Sequence, residues 1–97
     1  MSMYVELVNW TDQGVKNAKD SVKRLEAFVA VAQKMGCKVH TVMYTMGPYD
    51  LVAIVEAPND RTVSALSLSV ASLGNVRTLT MPAYTKEEMT GILRQLP

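Results

Sequence analysis

The stretch Gly47-Pro48-Tyr49-Asp50-Leu51-Val52-Ala53-Ile54-Val55 decides the fold. Its first four residues are turn formers between two β-like runs, and the five that follow contain no polar position. Successive strand residues point to opposite faces, so a strand that is apolar throughout needs cover above and below. A chain this short can build one layer of helices, which covers one face. The other face calls for a second cover, most simply another copy of the chain.

Working outward, Val39 to Met46 reads as the strand before the turn, and Tyr49 to Glu56 as the strand after it. Upstream, Met3 to Trp10 is a strand rich in β-formers, with Glu6 and Asn9 interrupting. Thr11-Asp12 can cap a short helical turn loosened by Gly14, and Asp20-Ser21 a longer helix. In that helix Val22, Leu25, Phe28, Val29, Ala32 and Met35 form one apolar stripe, and Gly36 stops it. Downstream, Asn59 or Asp60 caps a helix whose stripe is Val63, Leu66, Val70 and Leu73. Val76 to Met81 is a fourth strand, and Thr85-Lys86-Glu87-Glu88 carries the capping box of a last short helix.

The order β-α-β-β-α-β plus a terminal helix predicts an α+β, ferredoxin-like domain with a four-stranded antiparallel sheet, a single domain over residues 1–97. The first and third strands are then central. The edges take His40, Arg77 and the threonines, which agrees with their polarity. Both long helices carry one stripe, so both pack on one sheet face. The other face stays apolar, through Tyr4, Val8 and Trp10 or their neighbours and through alternate members of Leu51 to Val55. A bare apolar face of several hundred Å² is rare on a monomer. Covering it is worth on the order of 10 kcal/mol before the cost of association. A homodimer is therefore expected; the competing arrangement folds the last helix, through Met89, Ile92, Leu93 and Leu96, over that face.

Ten basic against nine acidic residues leave a formal charge of +1, which argues against a dedicated nucleic-acid binder. No apolar run approaches the length of a membrane span, and the strand-like amino terminus lacks the basic and apolar regions of a secretory leader, so none is expected. Cys37 is the only cysteine, so no intrachain disulfide can form and a reducing, cytoplasmic setting is expected. One histidine and one cysteine make no metal site, and phosphate loops, nucleophile elbows and His-Glu-x-x-His are lacking, so neither metal nor cofactor is expected.

Six residues could line a small-molecule pocket. Glu6, in a central strand, is either a buried carboxylate with a partner, able to act as acid or base, or a rim residue paired with Arg77. His40 can transfer protons near neutral pH or sit half-exposed on an edge strand. Tyr44, Tyr49 and Trp10 supply aromatic walls, with Asp50 as a polar tip or as an acceptor for turn N–H groups. Lys16, Lys19, Lys23, Arg24, Lys34 and Lys38 make the first half basic, either to attract an anion or as a solvated helix face with Asp12, Asp20 and Glu26 among them.

Several strings together resemble the GYD-domain family: Asn9-Trp10-Thr11-Asp12-Gln13-Gly14, Lys19-Asp20-Ser21, Lys23-Arg24-Leu25, Tyr44-Thr45-Met46-Gly47, Glu56-Ala57-Pro58 and Leu73-Gly74-Asn75-Val76-Arg77-Thr78. The naming motif Gly-x-Tyr-Asp stands here as Gly47-Pro48-Tyr49-Asp50, and Val22 replaces a common proline. The resemblance spans roughly Tyr4 to Met89. It implies a dimeric α/β barrel in which two ferredoxin-like sheets face each other. Similar barrels host monooxygenases, lactone isomerases, haem enzymes and effector-binding domains, and no family activity maps onto these residues. The expected function is a homodimeric module binding a small apolar or aromatic molecule. The alternatives are a cofactor-independent oxygenase or isomerase drawing on Glu6, Asp50 or His40, and an assembly protein with a filled interior.

Overall fold

The computed structural model describes all residues, Met1–Pro97. The third strand, β3 (Leu51–Ala57), and the first, β1 (Ser2–Trp10), form the middle of one sheet. The edges are β2 (Lys38–Tyr44) and β4 (Val76–Ala83), and the order β2-β3-β1-β4 is antiparallel throughout. Helices α2 (Ser21–Lys34) and α3 (Asp60–Ala71) cross over one face. A short α1 (Asp12–Lys16), followed by a 3-10 turn at Ala18–Asp20, joins β1 to α2. The expected ferredoxin-like α+β arrangement is the one observed.

Strand register fixes which side chains meet the helices. Tyr4, Glu6 and Val8 stand opposite Val55, Ala53 and Leu51 and share the covered face. Tyr4, Ala53, Val55, Val63 and Leu66 form the heart of the core. The uncovered face belongs to the neighbours of Tyr4, Val8 and Trp10: Val5 lies between Ile54 and Met81, and Leu7 between Val52 and Leu79. The molecule measures 51 × 31 × 18 Å, and its least dimension is that of two layers, since packed layers lie about 10 Å apart.

Several local expectations are corrected. Gly14 does not loosen α1; it is buried, and a Cβ there would lie 1.9 Å from the Asn75 carbonyl oxygen. Thr11 caps α1 by accepting from the Gly14 N–H at 3.1 Å, whereas Asp20 makes no side-chain cap to α2. The 3-10 turn runs directly into α2, so the inward stripe begins at Ser21 and Val22 is exposed. In α3, capped by Asn59 through the Thr62 N–H at 2.9 Å, Ser67 joins the inward side, and the helix ends at Ala71, which leaves Leu73 in the following turn and exposed. The connection between β2 and β3 is longer than a tight turn. Its strands end at Tyr44 and restart at Leu51, and the Thr45 N–H donates to the Asp50 carbonyl at 2.8 Å.

The last helix, α4 (Lys86–Leu93), has its capping box complete: Glu88 N–H donates to Thr85 Oγ1, and Thr85 N–H to Glu88 Oε1. It makes no sizeable contact with the sheet or the other helices, and Met89, Leu93 and Leu96 are exposed. The last helix therefore does not cover the bare face. No helix of the chain is long and apolar enough to cross a membrane.

Candidate functional site

A partly open cavity of about 80 Å³ lies between the sheet and helices α2 and α3. Its floor is built from Val8 of β1, Val42 of β2 and Ala53 of β3, and its roof from Leu25, Phe28 and Val70. At about 30 Å³ of liquid volume per water, the space holds roughly three water molecules.

Glu6 is the polar feature of this apolar space. Antiparallel pairing puts it between Ala53 and Thr80, and it is only 2 % exposed. Thr80 Oγ1 donates to Glu6 Oε1 at 2.8 Å, Ser67 Oγ of α3 donates to the same oxygen, and the two hydroxyls lie 3.2 Å apart. The carboxylate is thus held between β4 and α3, where a buried charge must find donors. Arg77, the alternative partner, pairs with Asn9 on the opposite face.

The mouth of the cavity is aromatic and cationic. Trp10 lines it and lies against Tyr44, ring centroids 6.4 Å apart. The Tyr44 hydroxyl lies 3.1 Å from Ser21 Oγ, which also lines the space. Arg24 stands at the same end, with its guanidinium donating to the carbonyls of Asn17 at 2.8 Å and Gly14 at 3.2 Å.

The six sequence candidates therefore divide. The structure brings Glu6 and Trp10 together in the cavity and sets Tyr44 beside Trp10. Tyr49 and Asp50 do not line it. Asp50 Oδ2 accepts the Trp10 backbone N–H at 2.9 Å, a bond across strands rather than within the turn, and the Tyr49 carbonyl accepts from Thr45 Oγ1 at 2.6 Å. His40 lies away from the cavity because β2 bulges between Val39 and Thr41, and its Nε2 meets Glu56 Oε1 at 2.8 Å. Glu56 alternates with the inward Val55 and Ala57, so this pair belongs to the uncovered side. An acid–base pair of Glu6 with Asp50 is not formed.

Ser67 and Thr80 escaped the sequence reading as site residues, whereas Phe28 was placed only on the apolar stripe of α2 and Arg24 only among the basic residues of the first half. Ser67 sits at the fourth position after Val63 and the third before Val70, a helical spacing that could have flagged it. Thr80 needed the register. No group of three His, Cys, Asp or Glu side chains converges anywhere. Cys37 is buried, which pushes its thiol upward, and the Glu6 charge adds to the shift.

Comparison with known proteins agrees with this architecture. A protein from Thermus thermophilus, named glutamine synthetase and cystathionine beta-lyase binding protein, is 30 % identical over 95 residues, spanning 97 % of this chain and 100 % of the relative. The crystal structure of TTHA0845, also from Thermus thermophilus, superimposes with a TM-score of 0.57 at 24 % identity, covering 88 % of this chain and 95 % of that one, a likeness of fold. The GYD domain model matches residues 4–93, nearly the whole of the sheet and helices described above, and the chain belongs to the GYD-domain family.

Proposed function

We infer that this chain is a binding protein, which pairs with a second copy through its uncovered sheet face and holds a small, mostly apolar molecule between sheet and helices. The cavity carries this reading: room for roughly three waters, apolar walls and a single buried carboxylate are what a small-molecule site requires. An assembly protein with a filled interior would not need that space. Of the three groups an enzyme would draw on, Glu6 alone reaches the cavity.

The test is a thermal-shift screen with small apolar fragments. A ligand present at 100 times its Kd adds about 2.7 kcal/mol to stability, so a clear rise in Tm is expected. Ala53→Leu, which fills the floor of the cavity, should abolish the rise. A screen in which no small molecule stabilises the protein would overturn the reading.

A second reading draws on the relative's name. Its match runs over 97 % of this chain, and α4 and the bare sheet face offer apolar surface to other proteins. On this reading the chain binds glutamine synthetase and cystathionine beta-lyase. Sedimentation of the protein mixed with each purified enzyme tests it. A boundary heavier than the enzyme alone supports the interaction, and unchanged boundaries at micromolar concentration reject it.

A further inference from the structure

Both hydroxyls next to Glu6 direct their hydrogens to the same atom. Ser67 Oγ and Thr80 Oγ1 each carry one hydrogen, and each donates it to Oε1. Oε2 accepts no bond from the protein. No sealed side-chain polar atom in this chain lacks a partner, so Oε2 opens onto free space, and the space beside Glu6 is the cavity. The buried end of the cavity therefore presents one open acceptor and no spare hydroxyl donor. Arg24, at the mouth, already directs two N–H groups to the carbonyls of Gly14 and Asn17.

We propose that Glu6 Oε2 is the recognition atom of the cavity, and that the ligand is a small apolar molecule carrying one N–H or O–H donor, an amine or an alcohol. This rests on the cavity being a binding site, as argued above. A ligand with such a donor supplies the bond that solvent entering the partly open cavity would otherwise make to this oxygen. One that offers only acceptors leaves Oε2 dry and unpartnered, the costly outcome for a buried charged group. The cavity, with room for roughly three waters, limits the ligand to a few heavy atoms unless it extends out past Trp10 and Tyr44.

Three probes of similar size separate the possibilities: butan-1-ol, its isomer methyl propyl ether, which has no donor, and butylamine. Titrations followed by the backbone amide signals of Glu6, Ser67 and Thr80 should give at least one of alcohol and amine a Kd about tenfold or more below that of the ether, as expected for a bond to a charged acceptor. The tighter of the two tells whether an amine or a hydroxyl is the better partner. Glu6→Gln places an amide NH2 where Oε2 stood, because the hydroxyls hold the oxygen in place. The alcohol-to-ether preference should then fall to about one, and protonated butylamine should lose its binding.

Equal affinities of all three probes in the natural protein, with shifts at the cavity amides, would overturn this inference and leave the cavity reading intact. The absence of any shift would overturn both. Should Glu6→Gln fail to fold, the comparison of isomers in the natural protein decides alone.

Discussion

Asp50 shows how one residue can tie three segments. Its N–H donates to the Val8 carbonyl at 2.9 Å, its carbonyl accepts from the Thr45 N–H at 2.8 Å, and its carboxylate accepts the Trp10 N–H at 2.9 Å. The aspartate of the naming motif thus fixes where β1 ends and where Trp10 stands at the cavity mouth. Asp50→Ala leaves that N–H without its acceptor in a half-buried setting and should cost about 1–2 kcal/mol in urea unfolding, while Asp50→Asn, which keeps an oxygen, should cost less. A second residue-scale effect concerns alkaline pH. The Tyr4 hydroxyl donates to Asp60 Oδ1 at 2.5 Å, and that bond, followed by burial, raises its pKa above the usual 10.0. Burial raises Cys37 above its usual 9.0. Each group holds its proton more tightly when folded, so the unfolded chain releases protons first and stability falls as pH rises from about 9, through the folded values. Equilibrium unfolding between neutrality and pH 11 should show this loss. It should be smaller in Cys37→Ala and Tyr4→Phe, and a stability independent of pH in that window would contradict the assigned contacts.

At the scale of elements, α4 is the piece least supported by the rest of the chain. An isolated helix of this length is marginal in water, and its capping box is the main local feature holding it. Thr85→Ala removes one cap and should cost the helix about 1 kcal/mol. Amide exchange across Lys86–Leu93 should quicken while protection in β1 and β3 stays unchanged. How elements meet also explains what the sequence reading could and could not reach. The apolar run Leu51 to Val55 and the helix stops at Gly36 and Gly74 made the element order legible, and the polar edge residues made the strand order legible. The phase of each element was not. Val22 and Ser21 exchange places because the 3-10 turn at Ala18–Asp20 rotates α2, and Ser21 finds a polar neighbour in Tyr44. Strand parity likewise hid whether Tyr4, Glu6 and Val8 or Val5 and Leu7 met the helices, since both sets are largely apolar. The Glu6 carboxylate inside and His40 outside follow from register and from a bulge, neither of which composition encodes.

At the scale of the whole molecule, the uncovered face is the unsolved half of the fold. Val5, Leu7, Val52 and Ile54 lie along its centre, with Leu79 44 % and Met43 62 % exposed on the two edges. The polar pair His40–Glu56 and Arg77 stand around them. Removing such a surface from water is worth far more than the median surface ion pair, so apolar contact governs the proposed pairing. In the proposed pair, a two-fold axis through this face would let each copy supply the missing layer of the other and so give the barrel that the family resemblance implies. Leu79 gives the sharpest test because it is already exposed in the single chain, and a lysine there should leave the fold of that chain undisturbed. In a pair, the same lysine would place two unpartnered charges in a dry interface. Leu79→Lys should therefore weaken association by about a hundredfold or more. Light scattering at micromolar concentration should give the mass of two chains for the natural protein and of one for the variant, with identical far-UV circular dichroism. A natural protein that already scatters as one chain would overturn the proposed pairing.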